Sequence, residues 1–358
     1  MRALHNLGHS KARSHHTKPT VKAPAHLLAD PTYLHGQVSL FFPETWAVPL
    51  GPLAREMETR AEHWLRDRKI IHDEAGAEKF RKLAVGEYAN WPFPGSDPDK
   101  AEVITKFLAL WIFYDDVIEE ADDGQQSLIL QAIRGNPTVY REGNAHLRCW
   151  WELGQSYSKV MERNWLDRHG QRFLDWVHSV REECFAANQF RKTGVYPSAA
   201  QHLLRRRMNI GMIPNIDFIE YQMGWELPEE TLADPDMKRL EQLSADVVAI
   251  INDLFGYAKD GKLQWCNLVP CFVHEFGISL EEAFRWACNL HNARVREITL
   301  LEPTLLRRSR EPEKMAQWLE GLHHILYGFA RWHAMAPRYS ANHDVGAGRR
   351  IKISVQAE

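Results

Sequence analysis

The chain has 358 residues, with 47 Asp and Glu against 44 Lys and Arg, and is 44% hydrophobic and 25% charged. That composition excludes wholesale disorder, and a net charge of −3 exerts no overall pull toward nucleic acid or an anionic membrane. The longest wholly apolar run, 107–114, falls far short of the roughly 18 residues that a membrane-spanning helix requires.

Residues 1–24 are basic and histidine-bearing, with no acid before Asp30, and read as a disordered N-terminal tail. From there the pattern is helical. Apolar residues recur at three- and four-residue spacings over 52–68, 99–120, 141–164, 171–190, 198–223, 237–261, 280–300 and 311–332. Ser198 and Ser279 stand where helices start, Gly224 and Gly261 where they stop. Alternating, strand-like stretches are nearly absent, and no segment repeats another. Residues 341–358 lack helical periodicity and read as a C-terminal tail, whose Gly346-Ala347-Gly348 follows no strand and makes a poor phosphate loop. The expectation is an all-α fold of about ten helices around a central cavity, in one catalytic domain over 25–340. Cys149, Cys184, Cys266, Cys271 and Cys288 are odd in number and lack CxxC spacing, so they read as reduced core residues of a cytoplasmic protein.

Two motifs carry chemistry. The helix through Phe107 and Trp111 is apolar on nearly every side, which buries it, yet it ends in Asp115, Asp116, Glu119 and Glu120. Carboxylates at a helix C-terminus oppose the dipole and repel one another, which costs stability unless a cation sits there. Oxygen-only ligands favour Mg²⁺. A solvated acidic helix end is the alternative. Downstream, Asn252, Gly256 and Asp260 fall at i, i+4 and i+8, so one helical face presents two oxygen side chains around a residue with none.

Asp115-Asp116-Val117-Ile118-Glu119 resembles the DDxxD/E motif of class I terpene synthases, and Asn252-Asp253-Leu254-Phe255-Gly256-Tyr257-Ala258-Lys259-Asp260 resembles their NSE motif. Arg205-Arg206-Arg207 is similar to the segment bearing the arginine that senses diphosphate. Trp332 and Arg338-Tyr339 are similar to the family's Trp and terminal RY pair. The likeness covers roughly residues 30–340 and fits the microbial single-domain type. It implies an allylic prenyl diphosphate substrate, farnesyl diphosphate giving a sesquiterpene by family expectation, and several Mg²⁺ ions, three by the same expectation. Asp115 would be the direct ligand with Asp116 and Glu119 in support, and Asn252, Gly256 and Asp260 would frame another ion. Arg206 or Arg207, Lys259, Arg338 and Tyr339 would grip diphosphate. Adjacent spacing leaves the choice between Arg206 and Arg207 open.

The second motif departs from the family pattern, with Gly256 for Ser or Thr and Asp260 for Glu. A retained water can replace the missing hydroxyl. Trp91, Phe93, Trp111, Phe218, Tyr221 and Trp332 are candidate walls for a carbocation, each with core packing as its alternative. The other functions to weigh are a chain-elongating prenyl transferase, which normally carries a second DDxxD, and a helical binding protein that has lost efficient metal binding. The chain would act as a monomer or homodimer, without nucleic-acid or membrane partners. Zinc readings are poor, since His274-Glu275 lacks a second histidine and His323-His324 lacks partners at suitable spacing.

Overall fold

The computed structural model describes residues 36–115, 118, 123–260, 266–346 and 348–358. The expected tail 1–24, together with Asp116, Glu119, Glu120 and Gly261, lies outside them. The described residues form β1 (Gln37–Phe42) and then the helices α1 (Ala54–Asp67), α2 (Glu74–Lys82), α3 (Val85–Asn90), α4 (Pro98–Asp115), α5 (Asp123–Ile133), α6 (Pro137–Glu142), α7 (Ala145–Tyr157) and α8 (Arg163–Thr193). These are followed by α9 (Ala199–Asn209), α10 (Met212–Met223), α11 (Glu229–Leu232), α12 (Pro235–Asp260), α13 (Leu268–Phe276), α14 (Leu280–Arg308), α15 (Pro312–Met335), β2 (Asn342–Gly346) and β3 (Arg349–Ala357). None of the helices is long and apolar enough to cross a membrane.

Helix α4 owes its central place to composition. Phe107, Leu108, Ala109, Leu110 and Trp111 are consecutive and all buried, so no side of the helix faces water there. It packs on α1, α3, α7 and α10. The other central helix, α12, is buried without interruption from Leu243 to Ile251 and lies against α9, α10, α14 and α15. Ser198 caps α9 through a reciprocal box with Gln201, and Ser279 caps α14.

The predicted helix 198–223 is interrupted. Gly211 adopts φ +75°, a left-handed conformation, and a Cβ there would run into the Trp111 ring. The break leaves Arg206 and Arg207 in the last turn of α9 and exposes the Asn209 carbonyl, which accepts from Trp176 Nε1 at 2.9 Å. The predicted 141–164 helix likewise gives way at Gly143, and Asn144 starts α7.

The segment expected as a C-terminal tail is a pair of strands. Ile351, Ile353 and Val355 alternate with Arg350, Lys352 and Ser354, a period-two pattern too short to stand out in the sequence. Strand β3 pairs antiparallel with β2 and parallel with β1, with Val38 opposite Ile353 and Leu40 opposite Val355. Gly346 and Gly348 take positive φ at the β2–β3 turn, a turn role rather than a phosphate loop. Asn292 of α14 closes the outer edge of β1, accepting from Phe41 N at 2.9 Å and donating to Ser39 O at 3.0 Å. Val38, Leu40, Ile351 and Ile353 are all buried against the helices. Ile353→Ala is expected to cost about 2–5 kcal/mol of stability in urea unfolding, the usual penalty for truncating a buried Ile. A cost below about 1 kcal/mol would show that the sheet stands outside the cooperative core.

Candidate active site

Asp115 from the end of α4 and Asn252, Lys259 and Asp260 from the end of α12 line one cavity of about 330 Å³. Arg206 and Asn209 reach it from α9, Trp332 and His333 from the last turn of α15, and Arg338 and Tyr339 from the loop that follows. That loop is tied down at both ends. Tyr339 N donates to Ala336 O at 3.0 Å, and Ser340 N donates to Phe255 O of α12 at 3.2 Å.

The polar lining is a continuous hydrogen-bonded array. Arg206 donates from Nη2 to Asn252 Oδ1 at 2.9 Å and from Nη1 to Asn209 Oδ1 at 3.1 Å, with its Nε 3.4 Å from Asp253 Oδ1. Asp253 is buried, and burial alone would raise its pKa. Arg206 and His202, the latter 2.6 Å away, hold it below the ordinary carboxylate range. Asn252 Nδ2 lies 3.2 Å from both His333 Nε2 and the Tyr339 hydroxyl. Lys259 Nζ is 3.4 Å from Asp260 Oδ1 and 5.4 Å over the Tyr339 ring, while Asp260 Oδ2 accepts from Asn267 Nδ2 at 3.0 Å. Burial pushes the His333 imidazole down to about 3, assisted by Lys259, Arg338 and Arg206, so it is neutral at physiological pH.

Arg207 points elsewhere. Its guanidinium makes a bidentate pair with the fully buried Asp246, at 2.7 and 2.9 Å, which Arg294 joins at 3.1 Å. Of the two upstream arginines, Arg206 is the one at the cavity.

Gly256 is buried and is not one of the residues that line the cavity, and a Cβ built there would meet Asp260 Oδ2 at 3.4 Å, an ordinary contact. Asp115, Asn252 and Asp260 offer carboxylate and amide oxygens, a donor set that suits a hard divalent cation. Cys266 also lines the cavity, but burial, with Glu183 and Asp260 nearby, pushes its pKa up to about 12, so it stands there as a thiol rather than a soft thiolate ligand. Asp116 and Glu119, expected to support Asp115, lie outside the described residues, as do any contacts they make.

The apolar lining differs in part from expectation. Trp111 and Trp332 line the cavity. Trp91 instead packs behind Trp332. Phe93, Phe218 and Tyr221 belong to the general core, with Phe218 enclosed by Phe107, Tyr157 and His169. The remaining aromatic wall is Tyr88, Trp176 and Phe329, none of which was singled out from the sequence. Tyr88 stacks on Trp332 at 4.1 Å, and Trp332 Nε1 donates to Leu83 O at 2.9 Å, which holds the indole in place. Glu183, Asn209, Asp253 and His333 are polar residues of the site that were also missed. Asp253 was within reach, because it is the second residue of the Asn252-Asp253 pair.

Solved structures share this fold. 2-Methylisoborneol synthase of Streptomyces coelicolor A3(2), in complex with Mg²⁺ and 2-fluoroneryl diphosphate, superposes with a TM-score of 0.71 at 21% identity, over 82% of this chain and 95% of that one. Linalool/nerolidol synthase of Streptomyces clavuligerus gives 0.70 at 18% identity, over 80% and 100%. The architecture is that of the class I terpene synthases.

Residues 106–297, more than half of the chain, match terpene synthase family 2, C-terminal metal binding, and the chain belongs to this family of terpene synthases. It is similar to 7-epi-α-eudesmol synthase of Streptomyces viridochromogenes, a (2E,6E)-farnesyl diphosphate cyclizing enzyme, at 24% identity over 81% of this chain and 90% of that protein. It is 22% identical to 10-epi-cubebol synthase of Sorangium cellulosum over 81% and 94%. The metal-binding character of the family implies use of a divalent cation.

Proposed function

We propose that the chain ionises an allylic prenyl diphosphate, farnesyl diphosphate first among them, with Mg²⁺, and releases a terpene and diphosphate. The observation that carries this reading is one cavity lined both by cations and oxygen donors and by indole and phenyl rings. The farnesyl length rests on the similarity to 7-epi-α-eudesmol synthase, which cyclises (2E,6E)-farnesyl diphosphate.

Asp115, Asn252 and Asp260 would hold the metal, which when bound neutralises charge building on the departing diphosphate. Arg206, Lys259 and Arg338 add fixed positive charge in the same cavity, with Arg206 already oriented by Asn209, Asn252 and Asp253. The allylic C–O bond breaks with its electron pair leaving on the diphosphate, and the cation then ends by losing a proton or taking up water. Until then it needs a dry wall that attracts without attacking. Trp111, Trp176, Phe329 and Trp332 offer π faces and no lone pair poised for bonding, and His333 Nε2 is engaged by Asn252.

The test is incubation of the purified chain with Mg²⁺ and, separately, geranyl, farnesyl and geranylgeranyl diphosphate, followed by gas chromatography with mass spectrometry and a diphosphate-release assay. A hydrocarbon or alcohol from farnesyl diphosphate, formed without isopentenyl diphosphate, is expected. A product that still bears diphosphate and appears only with isopentenyl diphosphate would make the protein a chain-elongating transferase, and no turnover on any of the three would overturn the reading. Gly256→Ser is expected to keep Mg²⁺-dependent turnover, because the added side chain meets Asp260 at ordinary contact distance and its hydroxyl can take a water's place. A folded, wholly inactive Ser variant would show that water does not fill the gap over Gly256.

A further inference from the structure

The Asn252 carboxamide can present either its oxygen or its NH₂ to the metal and diphosphate, and only the oxygen is a ligand. The two ends are alike in size, so its orientation is decided by hydrogen-bond partners. His333 decides it. Its Nδ1 lies 2.7 Å from the Phe329 carbonyl, which can only accept, so Nδ1 carries the ring proton and Nε2 is left as an acceptor. Asn252 Nδ2, 3.2 Å from Nε2, must therefore donate, and Oδ1 is turned to the opposite side, where Arg206 meets it. A flipped amide would set an oxygen lone pair against the Nε2 lone pair and an NH₂ against a guanidinium. The Tyr339 hydroxyl, 3.2 Å from Nδ2, has a rotatable proton and accepts or donates as required, so it follows the amide rather than directing it.

The ring itself has no freedom to adapt. His333 is 3% exposed and packs against Trp332 at 4.7 Å and Tyr339 at 4.6 Å, with Phe255 at 6.3 Å. Asp260, the other oxygen donor on the α12 face, is steadied separately by the buried Asn267, which also donates to Asp253 O at 2.7 Å. Each donor thus has its own fixed neighbour, but only the amide has a wrong orientation to prevent.

We propose that His333 is a positioning residue that helps lock the Asn252 amide with its oxygen toward Arg206 and so sets the strength of metal binding there. This rests on the metal-assisted reading above. Hydrogen-bonded neighbours of metal ligands typically contribute 10–100-fold to affinity.

The test is Mn²⁺ binding to the full chain in the presence of inorganic diphosphate, followed by electron paramagnetic resonance, alongside the Mg²⁺ dependence of turnover. His333→Phe keeps the ring and removes the acceptor. It is expected to weaken Mn²⁺ binding by about 10–100-fold and to raise the Mg²⁺ concentration for half-maximal turnover in parallel. His333→Gln can place Oε1 where Nε2 stands and is expected to recover most of the loss. Wild-type affinity in the Phe variant, or equal losses in Phe and Gln, would overturn the proposal. If the Phe variant does not fold, the Gln variant decides alone, and a loss as large as that of Asn252→Ala overturns it. Should the wild-type chain bind no Mn²⁺ under these conditions, or Asn252→Ala bind it unchanged, the metal reading itself would fall, an outcome distinct from failure at His333.

Discussion

Asp115→Asn and Asn252→Ala are each expected to reduce terpene formation by about 10²–10³-fold while leaving the fold intact, the scale seen when one preorganised electrostatic partner of a transition state is removed. The two residues act from different helices, α4 and α12, on one cavity. Neither supports the core. Asp115 is exposed, and Asn252 is only half-buried, with its hydrogen bonds directed to other site residues. Loss of activity should therefore appear with little change in the unfolding midpoint. Because the negative charge on the diphosphate grows as the C–O bond breaks, the loss should fall mainly on kcat. A raised KM with unchanged kcat would mean that these oxygens bind substrate without stabilising the departing group. Full activity in either variant would remove that residue from the site.

The parts of this architecture that local pattern encodes were legible. Phe107 to Trp111 include no polar residue, so α4 had to be buried, and the i, i+4, i+8 spacing of Asn252, Gly256 and Asp260 follows from helix geometry alone. Strand β3 was missed for the opposite reason. Its alternation of Ile351, Ile353 and Val355 is short, and its parallel partner β1 lies more than 300 residues away in sequence, with Val38 facing Ile353. The aromatic wall was only half legible, because periodicity marks the buried face of a helix without telling whether that face meets a cavity or a neighbouring helix. Phe218 and Phe329 are both buried, and only Phe329 borders the cavity. The break at Gly211 was hidden because apolar spacing continues across it. His333 carried no signal of its own, since a histidine on an apolar helix face is ordinarily a satisfied core residue.

The choice between Arg206 and Arg207 was closed to spacing, because consecutive helical residues point about 100° apart and either could face the site. Their partners separate them, and the difference predicts a crossed pattern of effects. Arg206→Met removes a guanidinium held against Asn252 and Asn209 at the cavity and is expected to lower kcat/KM by about 10²–10³-fold, or roughly 3–4 kcal/mol of transition-state stabilisation. Its cost to stability should be only about 1 kcal/mol, because Asp253 keeps His202 at 2.6 Å and the Leu268 amide at 2.8 Å. Arg207→Met does the reverse. It breaks a bidentate pair with a fully buried carboxylate, a change that typically costs about 3–5 kcal/mol, reduced here because Arg294 still reaches Asp246 at 3.1 Å. We expect a loss near 2 kcal/mol in urea unfolding with kcat/KM close to the parent value below the transition. Measuring both quantities on both variants decides the assignment. If Arg207→Met lost activity at full stability while Arg206→Met kept it, the diphosphate contact would belong to Arg207, and the position of Arg206 beside Asn252 would reflect core electrostatics rather than chemistry.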